Sequence, residues 1–377
     1  MPAFDFLVIG SGIAGAGAAY ELSDGARVLL LEREEAHGYH TTGRSAALYS
    51  EAYGNAVIRG LTRASRGFFE GPPDGFAAYR LLTPRGCLYL GRPDQADALA
   101  QVPAKAHGAI TPLGREAVLE MIPALRPEYV GGGMLEDGAM DADVEALHQG
   151  FLRGARARGA EIRLGHEVTA IQRRAPGGRP GAFVVTCATG EDFETAVVID
   201  AAGAWADRIA DLAGVRPIGL QPLRRTAVIV EAPSGADIRG WPAVIDVDEQ
   251  FYFKPDAGRI LASPADETPS EPCDAWADEM DVAICIERMQ AAADIPVRRI
   301  VRSWAGLRSF VADRSPVIGF DDAVPGFFWL AGQGGYGVQT APAAARTAAA
   351  LARSQPLPAD IAANEVTAES LSPVRLR

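Results

Sequence analysis

Cysteine is scarce. Cys87, Cys187, Cys273 and Cys285 are the only four in 377 residues, and no two stand at a CxxC spacing. That argues against a disulfide scaffold and against a structural zinc cluster. Histidine is also scarce, with five residues and no HExxH, so no metal site is expected. No stretch of 18 uncharged apolar residues occurs, and no transmembrane helix is expected. The N-terminus has no basic region ahead of its apolar run, which makes a cytoplasmic setting the expectation. Positive charge is in deficit, with 36 Lys and Arg against 48 Asp and Glu and a net charge of −12. Such a chain is a poor partner for nucleic acid or an anionic membrane surface, both of which need a basic face. There is no internal repeat and no low-complexity segment.

What remains is ordinary globular composition: 48% hydrophobic and 22% charged residues. The length suits two or so domains, each with its own core. The most legible stretch is the first. Phe6-Leu7-Val8-Ile9 reads as a strand buried on both faces. It runs into Gly10-x-Gly12-x-x-Gly15, after which small helix-forming residues follow to about residue 23. Residues 27–32 read as a second buried strand ending in an acid, Glu32. Glycines at that spacing let the backbone approach a pyrophosphate at a helix N-terminus, and the acid can accept hydrogen bonds from a ribose. This is the pattern of a dinucleotide-binding βαβ unit.

Further along, helices are expected at 55–69 and from an Asp143 cap to before Gly159, and strands at 81–90, 161–165, 168–173, 183–187 and 196–200. Residues 93–123 read as helical patches broken by proline, and 175–181 as a turn. Residues 225–230 and 250–255 read as sheet segments facing a cavity. Near the other end, the buried strand 327–331 meets a second glycine-rich turn, Gly332-Gln333-Gly334-Gly335-Tyr336-Gly337, and then an alanine-rich helix. The first motif alone does not separate NAD from FAD. The second turn, with the hydroxyl-rich loop Thr41-Thr42-Gly43-Arg44-Ser45, favours FAD.

These segments, together with residues 199–207, 304–310 and 332–340, resemble the glycine oxidase/D-amino-acid oxidase family of FAD enzymes, and within it the branch acting on D-arginine. The likeness runs from Phe6 to about Leu371. It implies an α/β fold: a discontinuous FAD-binding, Rossmann-like βαβ domain (1–82, 141–214 and 300–377) with a second, substrate-binding domain on a mixed β-sheet (83–140 and 215–299). It implies non-covalent FAD held by Gly10, Gly12, Ile13, Ala14, Gly15, Glu32, Arg33, the 41–46 loop (Thr41, Thr42, Gly43, Arg44, Ser45, Ala46), Val168, Ala202, Gly203, Trp205, Gly306 and the C-terminal turn (Gly332, Gly334, Gly335, Tyr336, Gly337).

An amino-acid-oxidising site needs a cation to grip the α-carboxylate, groups to orient the amine, and the Cα–H held for hydride transfer. The resemblance places Arg308 and Arg225 as the cations and Tyr252 and Tyr53 as the hydroxyls. Arg224 and Arg225 are adjacent on a strand, so only one of them can face the cavity. The pocket is expected to include Leu48, Ser50, Cys87, Gly335 and Gln339. The D-arginine branch carries glutamate at the position of Cys87, histidine at that of Leu48 and threonine at that of Ser50. The first two changes are from polar to apolar, and a guanidinium buried without a carboxylate partner costs several kcal/mol, of order 3–5. The expected substrate is therefore a D-amino acid with a neutral or apolar side chain, oxidised to the imino acid by hydride transfer to flavin and then hydrolysed to a 2-oxo acid and ammonia. The alternative is an N-substituted amino acid or a 2-hydroxy acid on the same scaffold. The electron acceptor, whether oxygen, a quinone or another carrier, is not read from the residues.

Overall fold

The computed structural model describes residues 3–105, 110–174 and 183–377, so the expected turn at 175–181 lies outside the described residues. Two large sheets organise the chain. The first is built on parallel strands in the order Glu161–Arg163, Val28–Leu31, Ala3–Ile9, Asp192–Asp200. Phe327–Ala331 adds in parallel against the C-terminal end of Asp192–Asp200, and Val317–Phe320 pairs antiparallel with it. The antiparallel pair Val168–Arg173 and Phe183–Cys187 continues from the N-terminal end of Asp192–Asp200. Val28–Leu31 and Phe327–Ala331 are buried at every residue, as continuous apolar runs in a sheet covered on both faces must be. Helices Ile13–Leu22, Val144–Ala157 and Gly337–Ala352 contribute to the core on one face of this sheet. Asp143 caps the second of these, its side chain accepting from Ala146 N at 2.8 Å. A second core lies on the other face, around Trp329, Phe327 and Phe183.

The second sheet has nine strands, of mixed direction. Gln221–Glu231, Arg259–Ser263, Tyr252–Asp256, Ala243–Asp246, Cys87–Gly91, Gly132–Glu136 and Ile110–Gly114 are neighbours in that order. Only Ala243–Asp246 with Cys87–Gly91 is a parallel pair among them. One face packs on Arg115–Met121 and Glu279–Ala292 around Phe251, Phe253 and Met289. The opposite face looks toward the first domain. A small sheet of Leu48–Tyr49, Met140–Ala142 and Leu82–Pro84 joins the two.

The expected α/β plan with a second domain on a mixed sheet is what the chain forms. The boundary at 300 needs correction. Ile300–Phe310 pairs with Gln221–Glu231 from Gln221↔Phe310 to Val230↔Ile300, so it belongs to the second sheet. The expected strand at 81–90 is two strands, broken at Arg85-Gly86, where Gly86 takes φ 73°. Residues 93–123 contain a strand, Ile110–Gly114, besides helices. Glu279–Ala292 is a helix that the apolar pattern did not announce, although Asp278 caps it and Glu279 and Asp281 occupy its first turn.

Candidate active site

A cavity of about 590 Å³ lies between the two domains, within the range of cofactor and ligand sites. Its lower part is built by the first βαβ unit. Gly10 sits at φ 99°, and a Cβ there would lie 2.6 Å from Ala201 O. A Cβ on Gly15 would lie 1.9 Å from Gly10 O. Both glycines are therefore demanded by backbone approach, strand to turn and turn to helix. Gly12 offers no side-chain cap, and apart from Ile13 N, which Thr42 takes, the first-turn amides and the dipole face the cavity. Glu32 accepts from Ser11 N and Ser11 Oγ through Oε2, each at 2.8 Å, and from Glu34 N through Oε1. It still lines the cavity, at the end of Val28–Leu31.

The 41–46 loop closes one side. Thr42 Oγ1 accepts from Ile13 N at 3.0 Å, and Thr41 Oγ1 donates to Leu307 O at 2.8 Å. Arg44 lines the cavity but does not bring a free cation to it. Its guanidinium donates to Ala275 O and Ala305 O and is paired with Asp274, so it ties this loop to the second domain. Arg33 stacks over the Trp205 ring at 4.2 Å, with His40 on the same indole. Ile13, Ala14, Ser45, Ala46, Val168, Ala202, Gly203 and Gly306 line the cavity as expected, and so do Gly334 and Gly337. Gly15, Gly43, Gly332 and Tyr336 do not. Gly15 is buried in turn packing, Gly43 is exposed in a turn where a Cβ would stand 2.8 Å from Gly38 O, Gly332 turns the chain at φ 74°, and Tyr336 lies in a small core with Phe310. Gln333, Glu167 and Arg208 line the cavity without having been singled out in the sequence.

The upper part is the second sheet. Cross-strand partners share a face, so Arg225 and Arg308 point the same way, the register being Arg225↔Gly306 and Leu223↔Arg308. Arg224 turns to the other face, where it bonds Asp281 at 2.8 Å. Arg225 donates to Asp266 O at 2.7 Å and reaches Glu267 at 3.4 Å. Arg308 has no carboxylate within ion-pair distance among the described residues. Burial opposes its charge, but the neighbouring hydroxyls of Tyr53, Tyr252 and Tyr336 hold its pKa above the ordinary arginine value. Gly335 faces it so closely that a Cβ would stand 2.9 Å from the guanidinium carbon.

Tyr252, Tyr53, Leu48 and Gln339 all line this part, with Ala227, Ala243 and Ile245. Lys254 lines it too, two residues from Tyr252 and on the same strand face, and its ammonium is bound to Asp141 at 2.6 Å. Arg85 shares that carboxylate at 2.7 Å. Two pocket expectations are corrected. Cys87 is fully buried and Ser50 nearly so, and neither lines the cavity. Cys87 is on the cavity-facing side of the sheet, paired with Ala243 and Glu136, and residues 50–52 bind the Glu136 carboxylate on the neighbouring strand. Burial pushes its thiol well up, so it is no thiolate. Gln339 faces the cavity with its amide already engaged by Thr62 Oγ1, at 2.9 Å, and by the Ser50 backbone.

A glycine-turn dinucleotide site, roofed by a mixed sheet that presents an uncompensated arginine, defines a two-domain redox enzyme. Residues 5–351 match the family described as DAO, FAD dependent oxidoreductase, and the chain belongs to that family. Its cofactor is FAD. The uncharacterized oxidoreductase YurR of Bacillus subtilis is 23% identical over 89% of this chain and 91% of its own length. Glycine oxidase from Geobacillus kaustophilus has the same fold, with TM-score 0.81 at 21% identity over 94% of this chain and 96% of that one. So has the L-alpha-glycerophosphate oxidase of Mycoplasma pneumoniae with FAD bound, with TM-score 0.83 at 21% identity over 94% of this chain and 95% of that one. Among the described residues no helix is long and apolar enough to cross a membrane, and no cluster of His, Cys, Asp and Glu is suited to a metal ion.

Proposed function

We propose that this protein oxidises a D-amino acid with a neutral or apolar side chain to the imino acid, which water then converts to a 2-oxo acid and ammonia. The observation that carries the reading is Arg308: a cation without a carboxylate partner among the described residues, lining the cavity together with Tyr53 and Tyr252. A guanidinium so placed is prepared for a carboxylate from outside, in two parallel hydrogen bonds. FAD, when bound, supplies the hydride acceptor. The chain's own residues supply position. Arg308 grips the α-carboxylate, the Tyr53 and Tyr252 hydroxyls bond the carboxylate or the amine, and Arg225 adds positive potential from the same sheet face. The cavity's carboxylates, Glu32 and Glu167, belong to the dinucleotide half. With no acid at the substrate end, the amine reacts as the neutral base, whose lone pair assists hydride departure.

The side chain meets Leu48, Ala227, Ala243 and Ile245. The cations on this wall are Arg225, Lys254 and Arg308, and Lys254 already shares Asp141 with Arg85. A second guanidinium or ammonium from the substrate would be buried among them without a partner, at a cost of roughly 3–5 kcal/mol. The expected closeness to the D-arginine branch is not supported: what matches is the family as a whole, and the solved structures of the same fold include a glycine oxidase and a glycerophosphate oxidase.

The test is anaerobic. The yellow protein is mixed with D-Leu, D-Met, D-Phe, D-Arg and D-Lys and with their L-forms, and the oxidised flavin band is followed. The expected result is fast bleaching by the apolar D-forms, with D-Arg and D-Lys slower by at least about a hundredfold, as a loss near 3 kcal/mol requires. Bleaching by D-Arg as fast as by D-Leu would refute the side-chain reading. Bleaching only by N-methyl or 2-hydroxy acids would transfer the same carboxylate grip to those substrates.

A further inference from the structure

Tyr53 stands on a short loop, residues 50–55, between Leu48–Tyr49 and helix Ala56–Glu70. Its ring is placed by packing: it lies 5.0 Å from the Tyr336 ring, beside Ile58, Leu223 and Phe310. Its backbone is placed by something else. Glu136 comes from the far end of Gly132–Glu136, on the second sheet, and is 7% exposed. Ser50 Oγ donates to its Oε2 at 2.6 Å, and Glu51 N and Ala52 N both donate to its Oε1, at 2.9 and 3.1 Å. One buried carboxylate thus collects three donors from three consecutive loop residues, immediately before the tyrosine that lines the cavity together with Arg308. From the first domain the loop is held by Gln339, which bonds Ser50, and by the Glu51 side chain, which accepts from Tyr49 Oη at 2.8 Å and from Arg66 at 3.1 Å; Glu136 is what binds the Glu51 and Ala52 backbone amides.

We propose that Glu136 is a positioning residue: it pins residues 50–52 to the second sheet and so fixes the Tyr53 hydroxyl against Arg308, completing the carboxylate grip across the domain boundary. Glu136 touches neither substrate nor FAD in this account and acts only through Tyr53. A carboxylate is suited to the task because a single oxygen can accept two backbone amides while the other takes the hydroxyl. Glutamine keeps most of this geometry. Its carbonyl oxygen takes the two amides, and its NH₂ meets a Ser50 Oγ that now accepts. Alanine removes all three bonds and leaves the donors buried. The inference rests on the proposed function for its kinetic readout.

The test is a double-mutant cycle on the FAD-loaded protein, with Glu136→Ala, Glu136→Gln, Tyr53→Phe and the Glu136→Ala/Tyr53→Phe double variant. Two quantities are read: the D-Leu concentration that half-saturates anaerobic flavin reduction, and the Kd of pentanoate, a non-reacting carboxylate, from its perturbation of the flavin spectrum. Glu136→Ala is expected to weaken both by about tenfold, as the loss of a loop tie near 1.4 kcal/mol does. Glu136→Gln is expected to stay within about threefold of the parent. In the Tyr53→Phe background, Glu136→Ala is expected to add less than about threefold. A full-size Glu136→Ala effect on top of Tyr53→Phe, or Glu136→Gln as damaging as alanine, would overturn the proposal. Should Glu136→Ala fail to fold or retain FAD, Glu136→Asp, one methylene shorter, is read in the same cycle. Pentanoate binding with the predicted coupling but no reduction by any amino acid would sustain Glu136 and reject the substrate reading. A parent protein that binds no carboxylate would reject both.

Discussion

Arg308→Met is expected to lower kcat/KM for the proposed D-amino acid substrate by roughly 30- to 5,000-fold while leaving FAD bound. Removing one partner of a buried, hydrogen-bonded charge pair costs about 2–5 kcal/mol, and each 1.36 kcal/mol is a factor of ten. Methionine is chosen because it fills similar space and has no charge. Gly335 and the three tyrosines around the site then meet an apolar chain, and the fold has no reason to change. Arg308→Lys is expected to fall between, since it keeps the charge and loses the planar fork. The measurement is anaerobic reduction across a range of substrate concentrations. A loss of less than about threefold for Arg308→Met would remove Arg308 from the carboxylate site.

The second large effect is on the cofactor. Gly15→Ala is expected to give protein that retains at least about tenfold less FAD, since even 1.4 kcal/mol is a factor of ten. The added Cβ would sit 1.9 Å from Gly10 O, a backbone atom that is itself fixed against Ala201. Relief requires the helix Ile13–Leu22 to withdraw from the turn, and its N-terminal amides then leave the pyrophosphate position. The flavin-to-protein absorbance ratio after purification measures the effect, with a far-ultraviolet spectrum to show that the chain still folds. Full flavin content in Gly15→Ala would mean that the turn tolerates a shift which its packing forbids.

The two sites differed in how plainly the residues announced them. The dinucleotide half was legible because its chemistry is local. Gly10, Gly12, Gly15 and Glu32 lie within one βαβ unit, and the glycines are imposed by distances of a few ångströms along a short loop. Arg308 was legible only by resemblance, yet the structure supplies a physical reason for its prominence: it lacks a carboxylate partner among the described residues. Arg225 over Arg224 followed from strand alternation once a register was known. The misjudged features are long-range. Nothing in residues 300–310 names Gln221–Glu231 as a pairing partner, so the domain boundary was drawn ten residues early. Cys87 is on the cavity-facing side of its sheet, yet it is fully buried and does not line the cavity, which strand alternation alone does not tell. Glu136 went unnoticed because its three partners are more than eighty residues away. Lys254 shares a strand face with Tyr252 and lay in a segment already read as facing a cavity, so alternation alone would have found it.

The central claim is that this cavity grips a free α-carboxylate in front of the flavin. It is tested most directly by one comparison on the same FAD-loaded protein under anaerobic conditions: D-leucine against D-leucinamide, which keeps the Cα–H, the amine and the side chain and replaces only the carboxylate. The account predicts bleaching of the oxidised flavin by D-leucine at a rate at least about a hundredfold above that with the amide, the loss of a charge-assisted bidentate contact near 3 kcal/mol. Equal rates with the two compounds would contradict it.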